Sequence, residues 1–183
     1  MTILANDLEY VRENVRQVPD FPKKGILFLD VTTALKDAKS FEKSMEFLYN
    51  NFKDEKIDYV AGMESRGFIY GAALANMLHT GFIPIRKPNK LPAETIKEDY
   101  TLEYGTNTIE MHKDAVKAGD RVLIVDDLLA TGGTAVAACN LIKRAGGDVV
   151  ATAFIIELYP LKGREKLEEK GYKVVSMLGY DLD

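Results

Sequence analysis

Leu4, Leu8, Val11 and Val15 recur at the spacing of one helix face, so the chain is expected to open with an amphipathic helix, ended by Pro19 and Pro22. Ile26 to Leu29 reads as a short strand or extended segment. Phe41, Met45, Leu48 and Phe52 predict a second helix with one apolar face. Ile57 to Ala61 predicts a strand, followed by Gly62 and a helix from about Gly67 to His79. Phe82 to Ile85 predicts a strand whose Pro84 suggests an edge position or its first residues. From Lys87 to Val116 the pattern weakens into prolines, charges and few periodic apolar positions. Val122 to Val125 is an unbroken apolar run, as expected of a parallel strand covered on both faces. A helix-forming stretch from Ala135, a strand at Val149 to Ile156, a helix near Arg164 to Lys170 and a strand at Lys173 to Met177 complete the pattern. Strands alternating with helices imply an α/β fold, with a central, mostly parallel twisted sheet flanked by helices.

Composition narrows this picture. A chain of 183 residues suffices for one domain with a sizeable core, so residues 1–183 are expected to form a single unit. A formal net charge of −4 argues against a dedicated nucleic-acid binder, which would usually carry a basic face. The one cysteine, Cys139, excludes an internal disulfide and fits a reducing compartment; it reads as a buried structural thiol. The first ten residues lack the basic leader and apolar core of a signal peptide, and no stretch approaches the roughly 20 apolar residues that span a bilayer. A cytoplasmic protein with no membrane partner is the expectation. His79 and His112 lack partners at metal-ligand spacing, so no protein-built metal site is expected.

The chemistry concentrates in Arg121-Val-Leu-Ile-Val-Asp-Asp-Leu-Leu-Ala-Thr-Gly-Gly-Thr134. Asp126 and Asp127 follow the apolar run, at the strand end where open α/β sheets place ligands. Ala130, Thr131, Gly132, Gly133 and Thr134 then lead into a helix. Glycines allow close backbone approach, and the unpaired N–H groups of a first helical turn favour an anion, with the threonine hydroxyls as added donors. Two acids beside an anion cradle suit a phosphorylated sugar: the carboxylates take ribose hydroxyls, directly or through magnesium, while the loop takes phosphate. A Walker B strand would require a Gly-x-x-x-x-Gly-Lys-Ser/Thr loop elsewhere, and none is present. A plain strand-turn-helix stays as the other reading, as it does for Gly62-Met-Glu-Ser-Arg-Gly67, a second loop between strand and helix. Arg86, Lys87 and Lys90 form a basic cluster beyond a strand end: either a solvated loop or a partner for condensed phosphates.

The segment Asp126 to Thr134 resembles the phosphoribosyl-pyrophosphate motif of type I phosphoribosyltransferases, and its Leu-Leu-Ala-Thr-Gly-Gly version resembles the branch that uses adenine. Four further blocks carry the likeness in the family's order: Phe21 to Phe28, Gly62 to Gly67, Ile85 to Pro92, and Tyr100 to Gly105. The resemblance implies the type I fold with a small hood at about residues 19–35 and a flexible lid loop at about residues 88–113. It implies transfer of a 5-phosphoribosyl group to adenine, giving AMP and pyrophosphate; another purine base, or a non-catalytic regulator that senses phosphoribosyl pyrophosphate, are the alternatives. It implies Mg²⁺, bound mainly through the substrate's pyrophosphate and ribose, and a homodimer in which Arg86 reaches toward the neighbouring site.

By the same resemblance, Glu64 and Ser65 are joined by a cis peptide in the pyrophosphate loop, and Arg66, Arg86, Lys87 and Lys90 stabilise the leaving group. Glu103 is the base near the purine, with Tyr104 beside the reacting groups. Phe28 stacks on the base opposite Leu129, and backbone groups of Leu27 and Leu29 read its edge. Ala130 stands where the 6-oxopurine enzymes carry an aspartate, which favours adenine. Many relatives carry arginine before the aspartate that here is Asp30; this chain has Leu29.

Overall fold

A computed structural model of the protein describes residues 4–102 and 105–181. The chain runs α1 (Ala5–Glu13), β1 (Arg16–Pro19), β2 (Leu27–Asp30), α2 (Thr32–Lys36), α3 (Ala38–Phe52), β3 (Tyr59–Met63), α4 (Gly67–Met77) and β4 (Gly81–Ile85). It continues through β5 (Thr95–Leu102), β6 (Gly105–His112), β7 (Arg121–Leu129), α5 (Gly133–Arg144), β8 (Asp148–Leu158), α6 (Gly163–Glu168) and β9 (Val174–Tyr180).

Five strands form the central sheet in the order β4-β3-β7-β8-β9, every neighbouring pair parallel. The expected parallel α/β sheet is therefore present, and Pro84 lies in the edge strand β4, where a missing N–H breaks no ladder on the open side. The apolar run of β7 is buried on both faces because its residues alternate between two cores. Leu123 and Val125 join α1, α3 and α4 on one side, while Val122 and Ile124 join α5 and the base of a β5–β6 ribbon on the other. Cys139, in α5, is fully buried and its thiol is pushed up to about 12 by desolvation. Among the described residues, no helix is long and apolar enough to cross a membrane.

Three local features differ from expectation. The first helix stops at Glu13, well before the prolines, and residues 16–19 turn into β1. Thr33 explains the early exit: its hydroxyl donates to the Asn14 carbonyl at 2.6 Å and accepts from the Arg16 N–H at 3.0 Å, so α2 draws the chain outward. β1 then pairs antiparallel with β2 in the hairpin Arg16↔Asp30 to Pro19↔Leu27. Second, the segment read as weakly ordered contains an eight-residue antiparallel ribbon, β5 against β6, pairing Thr95↔His112 through Leu102↔Gly105. Its base is buried through Ile109 and Met111, and Arg86 and Glu110 exchange backbone hydrogen bonds to tie it to the end of β4. Third, β7 extends beyond the apolar run and includes Asp126 to Leu129.

Candidate active site

The two loops singled out by sequence leave adjacent strands. β3 and β7 pair in register, Gly62 opposite Val125, so the Glu64–Arg66 turn and the Asp126–Thr134 segment emerge side by side at the carboxyl edge of the sheet. Gly67 lets them meet: a Cβ there would lie 2.7 Å from Asp126 Oδ1 and 2.9 Å from the Val125 carbonyl oxygen. The Glu64–Ser65 peptide is cis. Gly132, at φ +74°, caps α5 from the left-handed region, and no side chain caps that helix, so its first N–H groups have no side-chain partner at the cap.

Two cavities follow this edge. One, of about 340 Å³, is lined by Glu64, Ser65, Arg66, Lys87, Tyr100, Asp126, Asp127, Leu128 and Thr134. The second, of about 140 Å³, is formed by the loop itself, Leu128 through Ala135, with Met63, Asp126 and Phe154. Asp126, Leu128 and Thr134 are common to both. Glu64, Ser65, Arg66, Lys87, Asp126, Asp127, Ala130, Thr131, Gly132, Gly133 and Thr134 thus come together as one groove.

Its charges are paired across the loops. Arg66 donates Nε to Asp127 Oδ2, and Asp126 Oδ1 accepts the Asp127 N–H at 2.9 Å. Desolvation of Asp126, and then the charge of Asp127 beside it, push the Asp126 carboxyl well above the usual carboxylate range. Glu64 Oε2 accepts Arg86 Nε at 3.0 Å and the Lys87 N–H at 3.2 Å. Burial raises the Glu64 pKa, but those donors outweigh it and hold the group below its ordinary value. Lys90 is pinned differently: its N–H donates to the buried carboxylate of Glu110 at 3.3 Å, and its carbonyl accepts Arg86 Nη1 at 3.1 Å. The basic cluster is therefore a braced turn, with Lys87 lining the cavity and Arg86 and Lys90 behind it.

The hairpin residues are placed less directly. Leu29 is buried in the first core and Leu27 packs against the same core, while Phe28 lies on the opposite side of the strand with its ring 5.1 Å from that of Phe21, edge to face. None of the three lines either cavity; Asp30, whose charge acts on Arg66, is the hairpin's link to the groove. Leu29 is only 3% exposed, so its side chain is spent on the core and not on the groove.

One expectation is qualified by the pleat of β7. Leu129 is 1% exposed, belongs to the second core and lines only the smaller cavity, not the larger one. Its half-buried neighbour Leu128 lines both cavities. Tyr100 is a second residue missed from sequence. It lines the larger cavity, and its only cue was its place at the head of the Tyr100 to Gly105 block. Glu103 and Tyr104 lie outside the described residues. Among those described, no group of three or more His, Cys, Asp or Glu could hold a metal. The carboxylates at the groove are three: Glu64, already bonded to Arg86, Asp127, already bonded to Arg66, and Asp126. That set suits a magnesium ion taking most of its ligands from substrate oxygens and water.

The chain matches the phosphoribosyl transferase domain family over residues 31–180. It is 55% identical to the adenine phosphoribosyltransferase of Halothermothrix orenii over 92% of this chain and 98% of that one. With the enzyme of the same name from Cronobacter sakazakii the identity is 49% over 98% of both chains. Among solved structures, the adenine phosphoribosyltransferase of Thermoanaerobacter pseudethanolicus superposes with a TM-score of 0.91 at 51% identity, covering 94% of this chain and 99% of that one. That of Saccharomyces cerevisiae, solved with an imino-altritol bisphosphate and adenine, superposes with a TM-score of 0.88 at 40% identity, covering 96% and 100%. The chain belongs to the phosphoribosyl transferase domain family and, within it, to the adenine phosphoribosyltransferases.

Proposed function

We infer that this chain transfers the 5-phosphoribosyl group of phosphoribosyl pyrophosphate to adenine, releasing pyrophosphate and forming AMP in purine salvage. The observation that carries this reading is the single groove in which the Asp126–Asp127 pair stands between an uncapped helix N-terminus and the Arg66–Lys87 cations. A ligand with a phosphate at one end, a diol in the middle and a second anionic group at the other end matches that order of charges.

Ala130 to Thr134 hold the sugar phosphate with backbone N–H groups and two hydroxyls. Asp126 and Asp127 accept hydrogen bonds from the ribose hydroxyls. Arg66 and Lys87, with Arg86 and Lys90 behind them, take up the negative charge of the departing pyrophosphate. As the bond to pyrophosphate lengthens, positive charge grows at the anomeric carbon, and the nearby carboxylates stabilise it. Adenine attacks from the opposite face, inverting the α donor to a β nucleotide, and Glu103 accepts the purine proton, with Tyr104 beside it. Phe28 and Leu128 supply apolar faces for the base, backbone groups of Leu27 and Leu29 read its edge, and Ala130 leaves out a carboxylate that would disfavour adenine. A bound Mg²⁺ would neutralise pyrophosphate charge, held through substrate oxygens with Asp126 as the available protein carboxylate.

The hood at about residues 19–35, which contains β2, covers the base, and the β5–β6 ribbon, within the lid at about residues 88–113, excludes water. The same reading makes the protein a cytoplasmic homodimer of single-domain chains. AMP formation from adenine and phosphoribosyl pyrophosphate, with and without magnesium and beside hypoxanthine and guanine, is the test. Magnesium-dependent turnover of adenine alone is expected. Turnover of another base would move the specificity away from Ala130, and sugar-phosphate binding without turnover of any base would sink the catalytic reading.

A further inference from the structure

Behind the phosphate loop, two glycine backbones are packed against each other. A Cβ on Gly163 would lie 2.3 Å from the Ala130 carbonyl oxygen and 3.0 Å from the Gly132 nitrogen. A Cβ on Gly132 would in turn lie 2.9 Å from the Gly163 carbonyl oxygen. The course of the loop from Ala130 to Gly132 therefore depends on where the Gly163 backbone sits. Gly163 opens α6, a helix of six residues that buries only one large side chain, Leu167. A helix this short is marginal without tertiary support.

That support is the next residue. Arg164 grips Glu157 with both prongs, Nε to Oε1 at 2.9 Å and Nη2 to Oε2 at 2.6 Å. It also donates to Ser176 Oγ at 3.0 Å and to the Val174 carbonyl at 3.0 Å, while the Ser176 hydroxyl donates to Glu157. Glu157 is 3% exposed, and a carboxylate so far from water is costly unless its oxygens are filled by donors of this kind. In the β7–β8 register Glu157 stands opposite Leu129, the residue before Ala130. The clamp thus joins the root of the loop to the helix that backs it. None of its members lines the catalytic groove.

We propose that Arg164 is a positioning residue for the phosphate loop: its forked bond to Glu157 fixes Gly163 behind Ala130–Gly132 and so sets the spacing of the loop for the 5-phosphate of the sugar. This rests on the reading of Ala130 to Thr134 as the 5-phosphate site. Lysine keeps the charge of Arg164 but loses the fork. A loop displaced by a fraction of an ångström should bind the phosphate end worse and leave the pyrophosphate end intact, a split that simple loss of stability would not produce.

The test measures dissociation constants for ribose 5-phosphate and for inorganic pyrophosphate by calorimetry, with KM and kcat for phosphoribosyl pyrophosphate, on the full chain and its Arg164→Lys and Gly163→Ala variants. Expected for Arg164→Lys is ribose 5-phosphate affinity and KM worse by about 10–100-fold, with pyrophosphate affinity and kcat within about twofold. Gly163→Ala, where it folds, should repeat that selective loss. Unchanged ribose 5-phosphate binding in Arg164→Lys would overturn the proposal, as would an equal loss of both ligands, which would make the clamp a staple for α6 alone. Wild-type protein that fails to bind ribose 5-phosphate, while Thr134→Val changes nothing, would instead remove the loop assignment itself and the proposal with it.

Discussion

Arg66 and Asp127 are bonded to each other across the gap between the β3 and β7 loops, so the two halves of the groove are locked by one ion pair before any ligand arrives. The Asp127 side chain is 7% exposed and that of Arg66 is 40% exposed, which makes the carboxylate the partner with more to lose. Arg66→Met should lower the unfolding free energy by about 1–3 kcal/mol, the cost of leaving a buried acceptor unfilled. Adding Asp127→Asn should restore part of it, while both variants lose turnover. Urea titrations of the four proteins of this cycle measure the coupling; independent, additive effects would show that the pair is incidental to stability.

Asp126 should make the ligand-free protein less stable as pH rises. Its carboxyl has an ordinary value of 3.8 and is held well above that in the folded chain, first by desolvation and then by Asp127. Between those two values the folded state binds more protons than the unfolded state, so the slope of unfolding free energy against pH is negative. The contribution is most favourable below the ordinary value and is lost as pH climbs through the raised one. Asp126→Asn removes the charge, so its Tm at neutral pH should exceed that of the wild type, with the gap closing toward pH 4. Thermal melts across that range check it, and a variant less stable at every pH would refute it. The same variant should bind ribose 5-phosphate more weakly, since a carboxylate is a stronger acceptor for hydroxyls than an amide.

Much of this arrangement is legible in the chain because it is local. The apolar run of β7, its two acids and the glycine turn lie within fourteen residues, and five α/β strands announce themselves as short apolar segments. The β5–β6 ribbon was hidden because Lys97, Glu98 and Asp99 interrupt its alternation, and its pairing is set by Ile109, Met111 and the Arg86–Glu110 bridge on other segments. Adjacent leucines at 128 and 129 cannot be told apart until the pleat is known. The Arg164–Glu157–Ser176 clamp joins three elements, and no motif spacing marks such a contact.

The two leucines separate by experiment. Leu129→Ala empties a site in the second core and should cost about 2–5 kcal/mol of stability. Its effect on adenine should be no greater than on phosphoribosyl pyrophosphate. Leu128→Ala removes a half-buried side chain that lines both cavities, so its cost in stability should be smaller and its rise in KM for adenine larger. Steady-state kinetics with each substrate varied in turn would show the pattern. The reverse assignment, with Leu129 controlling adenine, would mean that the base packs against the smaller cavity that Leu129 lines.

Glu98 holds the β5–β6 ribbon against α5. Its Oε1 accepts Asn140 Nδ2 at 2.8 Å and its Oε2 accepts Arg144 Nη1 at 2.6 Å, while that guanidinium also donates to the Lys97 carbonyl at 2.7 Å. The Arg144 side chain is half exposed, so the ion pair should be worth no more than about 1 kcal/mol. A two-stranded ribbon has little stability of its own, however, and this contact adds to the buried base and the Arg86–Glu110 bridge in fastening it. Glu98→Ala should therefore leave global stability nearly unchanged but raise local opening of the ribbon about twofold to fivefold. Hydrogen exchange of the amides of residues 95–100, compared with those of β7 as an internal standard, reads this directly. Because the contact is exposed, the difference between variant and wild type should shrink as salt is raised from 0.05 to about 0.5 M. Tyr100 lies two residues along the same strand and lines the larger cavity, so a looser ribbon should also lower the affinity for phosphoribosyl pyrophosphate. Unchanged exchange at low salt would show that backbone pairing with β6 alone holds the ribbon in place.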